Sequence, residues 1–216
     1  NILLKVNKLR MIAIGKKYKK FPLYFTFSAG INSLASSLII IALAISFDPL
    51  LAGSYFLVVR AIRTPISIIS NAIGNVFFEK VSKSRGDCSK LYIKTSMILF
   101  LIGIIPTILI FLYSSELFIL IFGEQWETAG RFAEVLVIMF FISFFTIPVS
   151  QLSFLEQKAR YNILWQITLI IGTLIGWYYG VLYNEVYVFI IIYAITQSLL
   201  YIFGFYYEYK LCKERK

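Results

Sequence analysis

The run PLLAGSYFLVVRAIRTPISIISNAIGNVFF, residues 49–78, decides the fold. It is apolar enough to cross a bilayer, yet it carries Arg60 and Arg63 well inside. A span needs about 20 mainly apolar residues, and an arginine near its centre costs at least roughly 2.5–3.5 kcal/mol. At about 1.5 Å per helical residue, Arg60 lies some 15 Å from the start of the run, too deep for snorkelling to explain readily. Arg60, Arg63, Ser67, Asn71 and Gly74 follow steps of 3, 4, 4 and 3. On a regular helix they share one face. Pro65 removes a backbone donor beside them, so a kink is expected there. The expectation is a polar, water-filled cavity bounded by this face.

Five further segments have the same character, at 21–47, 91–113, 129–154, 161–182 and 186–207. Composition agrees: 59% of the residues are hydrophobic and only 15% are charged, with mean hydropathy +0.80. Soluble domains are about a quarter charged. The fold class is therefore all-α: a polytopic membrane protein built as a six-helix transmembrane bundle. All spans must be helices, because hydrocarbon offers no partner to an open strand edge.

Charge sets the expected orientation. Segment 1–20, the second–third loop, the fourth–fifth loop and the C-terminal tail hold 18 of the 21 basic residues. The opposite loops carry Asp48, Glu116, Glu124, Glu127 and Glu185. The positive-inside rule then places both termini in the cytoplasm, with the protein multi-pass in a cytoplasmic (inner) membrane of bacteria or archaea. The net charge of +10 is explained by orientation, so no nucleic-acid partner is invoked. Three parts follow: an amphipathic basic segment at 1–20, the transmembrane lobe at 21–207 and a basic tail at 208–216. Residues 4–17 suit an interfacial helix. Residues 117–122, too short to span, suit an outer-face turn. Cys88 and Cys212 fall in basic, cytoplasmic segments, so reduced thiols are expected.

Polar residues on the other spans can complete a cavity: Asn32, Ser33 and Ser37 on the first, Thr146, Ser150 and Gln151 on the fourth, Gln166 on the fifth and Gln197 on the sixth. The series Gly172, Gly176 and Gly180 reads as close helix packing. Arg131 and Glu134 are spaced as an i,i+3 pair. Glu134 falls near the outer surface, and no Asp or Glu lies within the membrane depth of the six helices to neutralise Arg60 and Arg63, which favours an anionic ligand. Two guanidinium groups suit a phosphate or pyrophosphate, and the neutral side chains suit a sugar. Arg60 and Arg63 are the expected head-group contacts, with Asn71 and Gln151 beside them. The chain has no histidine, and no catalytic residue, metal ligand or cofactor is assigned.

A resemblance adds to this. The stretches Tyr18-Lys19-Lys20-Phe21-Pro22-Leu23-Tyr24, Gly53-Ser54-Tyr55 with Arg60, Arg63 and Pro65, and Phe122-Gly123-Glu124 with Trp126, Ala129 and Gly130 resemble the second half of O-antigen and polysaccharide flippases. These are the Wzx-type members of the multidrug/oligosaccharidyl-lipid/polysaccharide exporter superfamily. The resemblance implies one lobe of a two-lobe transporter, preceded by an N-terminal six-helix lobe or paired with a second chain. The start at Asn1 fits that expectation. It further implies alternating access without ATP hydrolysis. The implied cargo is a lipid-linked oligosaccharide of the undecaprenyl-pyrophosphate type, destined for surface polysaccharide such as lipopolysaccharide, with membrane lipids as the other contacts. The alternatives are a multidrug or cation exporter of the same fold and a membrane-embedded polysaccharide polymerase or transferase. Cationic drugs call for buried carboxylates, and an enzyme for a positioned acid, base or nucleophile. A non-enzyme is expected.

Overall fold

A computed structural model describes residues 20–83, 86–150 and 159–215. Every long element among them is a helix. Helix α1 runs Lys20–Ser46 and α2 Pro49–Val58; a π-helical turn, Val59–Arg63, joins α2 to α3, Thr64–Lys83. Helix α4 is Ser89–Phe122, α5 Glu127–Thr146, α6 Ala159–Leu182 and α7 Val186–Glu214. The continuous element Pro49–Lys83 and the spans beginning at Ser89, Glu124, Ile163 and Val186 are long and apolar enough to cross a membrane, and Gly30–Ser46 of α1 adds a shorter apolar stretch. The all-α polytopic bundle expected from hydropathy is what the chain forms. The segment 4–17 and Gln151 lie outside the described residues.

Local chemistry explains the boundaries. Asp48 caps α2, its Oδ1 accepting from the Leu50 amide at 2.8 Å, and Pro49 sits in the first turn, where its missing N–H costs nothing. Helix α4 does not stop at Tyr113. The backbone breaks helical geometry there (φ −128°, ψ 15°), and the helix resumes to Phe122. Residues 117–122 are therefore the last turns of a kinked helix and not a separate turn. Gly123 ends it with φ +100°, a value side-chain-bearing residues rarely adopt. Helix α7 runs past Tyr207 to Glu214, so residues 208–214 of the basic tail are helical.

Helix α5 lies at the centre, the most buried of the spans, against α2, α4 and α7; α6 packs along α7, and α1 along α6. Ile39, Leu43, Tyr55, Phe132, Leu136, Phe140, Phe189 and Ile190 form the core. Hydrocarbon surrounds the bundle, so burying these side chains gains little hydrophobic free energy. Close packing and interhelical hydrogen bonds hold the helices instead. A Cβ on Gly130 would fall 2.5 Å from the Ser115 Cα, so α5 can meet α4 only through a glycine. Gly172, Gly176 and Gly180 do the same between α6 and α7, where added Cβ atoms would fall 3.1 Å from Thr196 and 3.2 and 2.7 Å from Phe189. The Trp177 indole donates to Ser46 Oγ at 2.8 Å, tying α6 to α1.

A smaller cluster of Phe77, Val81, Tyr92, Val149 and Leu211 closes one end of the bundle. Here Cys88 and Cys212 form a disulfide, their Cα atoms 5.2 Å apart. This corrects the expectation of free thiols, which rested on compartment alone. The fold brings the start of α4 to the end of α7, and the Cys88 amide also donates to the Cys212 carbonyl at 3.3 Å. Arg131 pairs with Glu127 at 2.7 Å, one turn earlier, and not with Glu134. Both partners are half-exposed, so the pair adds little stability.

Candidate functional site

The second span is where regular helical geometry fails. Through Val59–Arg63 the backbone bonds i to i+5, so each residue advances by a smaller angle than in an α-helix. The Thr64 amide and its hydroxyl both turn back to the Val59 carbonyl. Positions three apart across this turn no longer superpose. Arg60 is exposed on the outside of the lobe, its guanidinium 5.1 Å from the centre of the Phe56 ring. Arg63 points inward, into a polar cavity. The single face drawn from a 3.6-residue period is thus split, and the two arginines do not act side by side. Asn71 is exposed and lies away from the cavity. Ser67 donates to the Thr64 carbonyl at 2.7 Å.

The cavity has a volume of about 280 Å³. Four further helical regions converge on it. Asn32 and Ser36 come from α1, Thr146 and Ser150 from the end of α5, Tyr161, Trp165 and Gln166 from α6, and Tyr193, Gln197, Tyr201 and Glu208 from α7. Helix α5 ends there because Pro148 stops it, leaving a 3₁₀ turn, Ile147–Val149. The Thr146 and Ser150 hydroxyls donate to the carbonyls of Ile142 and Thr146, both at 2.8 Å, and keep lone pairs free to accept.

Two features distinguish this cavity from a packing gap. Among the described residues the Arg63 guanidinium makes no ion pair or hydrogen bond; its electrostatic neighbours are Tyr201, Tyr193 and Tyr55. An unpaired cation in a partly buried site is costly and calls for an anion or water. Also, Gln166 Oε1 is buried without a hydrogen-bond partner among the described residues. A buried acceptor left open beside a cavity suits a hydroxyl or amide donor on a ligand. The aromatic wall, with Tyr161 stacked on Tyr207 at 4.2 Å, gives flat apolar surface beside these polar atoms.

Glu208 was not foreseen. It is 1% exposed, lines the cavity and interacts electrostatically with Tyr92 and Tyr161. The absence of a carboxylate at membrane depth in the apolar runs therefore did not mean its absence from the cavity. Helix α7 simply continues beyond the apolar run.

An all-α bundle with an inward arginine and a polar chamber defines a polytopic membrane protein with an internal polar cavity. Residues 8–131, more than half of the chain, match the polysaccharide biosynthesis protein family, and the chain belongs to that family. The match takes in the π-helical turn with Arg60 and Arg63 and ends just past Gly130, so α6 and α7 complete the cavity from outside the matched region. No curated protein and no solved structure matches the chain significantly.

Proposed function

We propose that the protein works in polysaccharide synthesis as a flippase. It translocates a lipid-linked oligosaccharide of the undecaprenyl-pyrophosphate type across the cytoplasmic membrane by alternating access, making and breaking no covalent bond. The carrying observation is the Arg63 guanidinium, without an ion pair or hydrogen bond among the described residues and facing a polar chamber inside a membrane-spanning bundle. It is suited to a phosphate, while Asn32, Gln166, Gln197 and the surrounding aromatics are suited to the first sugar. The basic loops orient both termini toward the cytoplasm. A second six-helix lobe, in the same polypeptide or another, supplies the facing half of the pathway.

The test is Arg63→Ala in the full-length protein in its native cell. Surface polysaccharide is expected to disappear while the protein is still found in the membrane at normal level. Wild-type export by this variant would end the proposal.

Glu208 favours one rival, a cation exporter of the same fold, because it supplies the buried carboxylate such a protein needs. That rival predicts loss of cationic-dye efflux in Glu208→Gln and normal polysaccharide in Arg63→Ala.

A further inference from the structure

Helix α4 begins where α7 ends, and an open groove of about 570 Å³ lies on the surface between them. Lys90, Ile93, Lys94, Met97 and Ile98 of α4 line it, with Tyr209 of α7 as the opposite wall. At helical spacing the α4 residues form one stripe, and the stripe is graded. Lys90 and Lys94 are exposed one turn apart near the start of the helix, and Ile93, Met97 and Ile98 are 41%, 54% and 48% exposed. Among the described residues neither lysine makes an ion pair. The nearby carboxylate, Asp87, accepts from the Ser89 amide at 2.7 Å and faces both Lys90 and Lys213. Positive charge is therefore in excess. Lys90 also stands in the first turn of α4, where the helix dipole disfavours a cation and no acidic residue offsets it. The groove is held by contacts behind it. The Tyr92 hydroxyl donates to the Phe205 carbonyl at 2.9 Å, and its ring lies 5.9 Å from Tyr209.

We propose that this groove binds an anionic glycerophospholipid, with its phosphodiester between the Lys90 and Lys94 ammoniums and the start of an acyl chain along Ile93, Met97 and Ile98. Depth and charge together select this occupant. Helix α4 has 34 residues, roughly 50 Å, against a hydrocarbon core of about 30 Å, so its ends reach the head groups. Its uninterrupted apolar stretch begins at Met97. Lys94 then lies about 5 Å and Lys90 about 10 Å outside that boundary, the level of lipid phosphates. Met97 and Ile98 meet the first carbons of the chains. A zwitterionic lipid brings its own cation to the same place and loses most of the attraction; a net negative lipid keeps it. The inference stands apart from the transport role, because it needs only a bilayer that contains anionic lipid.

The experiment titrates the purified full-length protein with phosphatidylglycerol and with phosphatidylcholine of the same acyl chains, and reads bound lipid by native mass spectrometry. Phosphatidylglycerol is expected to bind at least about tenfold more tightly, since each lysine near the head group adds to the attraction. Lys90→Gln combined with Lys94→Gln should abolish the preference. Lys80→Gln combined with Lys83→Gln removes the same charge from exposed positions on α3, outside the groove, and should preserve it. Lys90→Arg combined with Lys94→Arg keeps both charges and should also preserve it, which separates lost binding from lost folding. Equal affinity for the two lipids, or equal loss in both glutamine double variants, would overturn the inference. A photoreactive benzoylphenylalanine at the exposed Ile98, in nanodiscs of both lipids, tests the occupant directly. Labelling of phosphatidylglycerol is expected, and labelling of a protein segment in its place would show that the groove is a protein interface and end the proposal.

Discussion

Arg63 and Glu208 bring opposite charges into one cavity from the second and the last spans. A cavity that must both take up and release an anion gains from such a pair, because the carboxylate limits how tightly the arginine can hold a phosphate. Glu208→Gln keeps the shape and removes the charge. Binding of polyprenyl phosphate is expected to tighten by roughly 2- to 10-fold, at most about 1.4 kcal/mol, with slower export. Ligand titration of the purified protein, together with the rate of surface polysaccharide appearance, checks both halves. Weaker binding would show that Glu208 only supports the fold.

The signature glycines carry unequal structural weight, and the difference is testable. A Cβ on Gly130 meets backbone of Ser114 and Ser115, which cannot rotate aside, whereas a Cβ on Gly53 meets nothing within 4 Å. Gly130→Ala should therefore destabilise the protein by about 1–3 kcal/mol through overpacking. Gly53→Ala, inside helix α2, should be neutral or stabilising by up to about 1 kcal/mol. Thermal melts of the two variants in detergent are the measurement.

The spans were legible because bilayer thickness sets a length that hydropathy can count. That signal failed at Tyr113 and Tyr207, where polar residues follow but the helices continue. Ser114 is buried under Gly130, and Glu208 is buried in the cavity. The cavity face of α7 was written in the sequence at Tyr193, Gln197, Tyr201, Gly204 and Glu208, in steps of 4, 4, 3 and 4, but it crossed the assigned end of the span. The split between Arg60 and Arg63 left no such trace. It comes from one turn of backbone hydrogen bonding, which a wheel of fixed period cannot register. The Cys88–Cys212 contact is long-range, and compartment reasoning knows nothing of distance.

That disulfide links residues 124 apart in sequence, joining the start of α4 to the end of α7. Cross-linking so long a loop stabilises by about 2–5 kcal/mol in the chain-entropy account. Reductant is expected to lower the melting temperature of the purified wild-type protein and to leave Cys88→Ser unmoved. If the orientation proposed above holds, the bond faces a reducing compartment, and rapid alkylation of protein from intact cells should find both thiols free. Alkylation only after added reductant would instead place this end of the bundle on the oxidising side.

Arg63→Lys separates charge from shape. Lysine keeps the positive charge, but its ammonium replaces a planar fork that can bond two oxygens of one phosphate at once. If Arg63 acted only as a field in the chamber, the lysine variant would export as wild type does. If it grips the phosphate directly, one charge-assisted bond is lost, worth about 1.5–3 kcal/mol, and affinity for polyprenyl phosphate should fall at least about tenfold. Arg60→Lys is the internal comparison. Arg60 lies outside the chamber over the Phe56 ring, where the exchange should cost less than about 1 kcal/mol. Measuring surface polysaccharide and ligand affinity for both variants side by side therefore reads out the consequence of the π-helical turn: strong sensitivity at Arg63 and little at Arg60. Equal sensitivity at the two positions would mean that both arginines reach the ligand in some state of the transport cycle, and that the turn unwinds to a regular helix along the way.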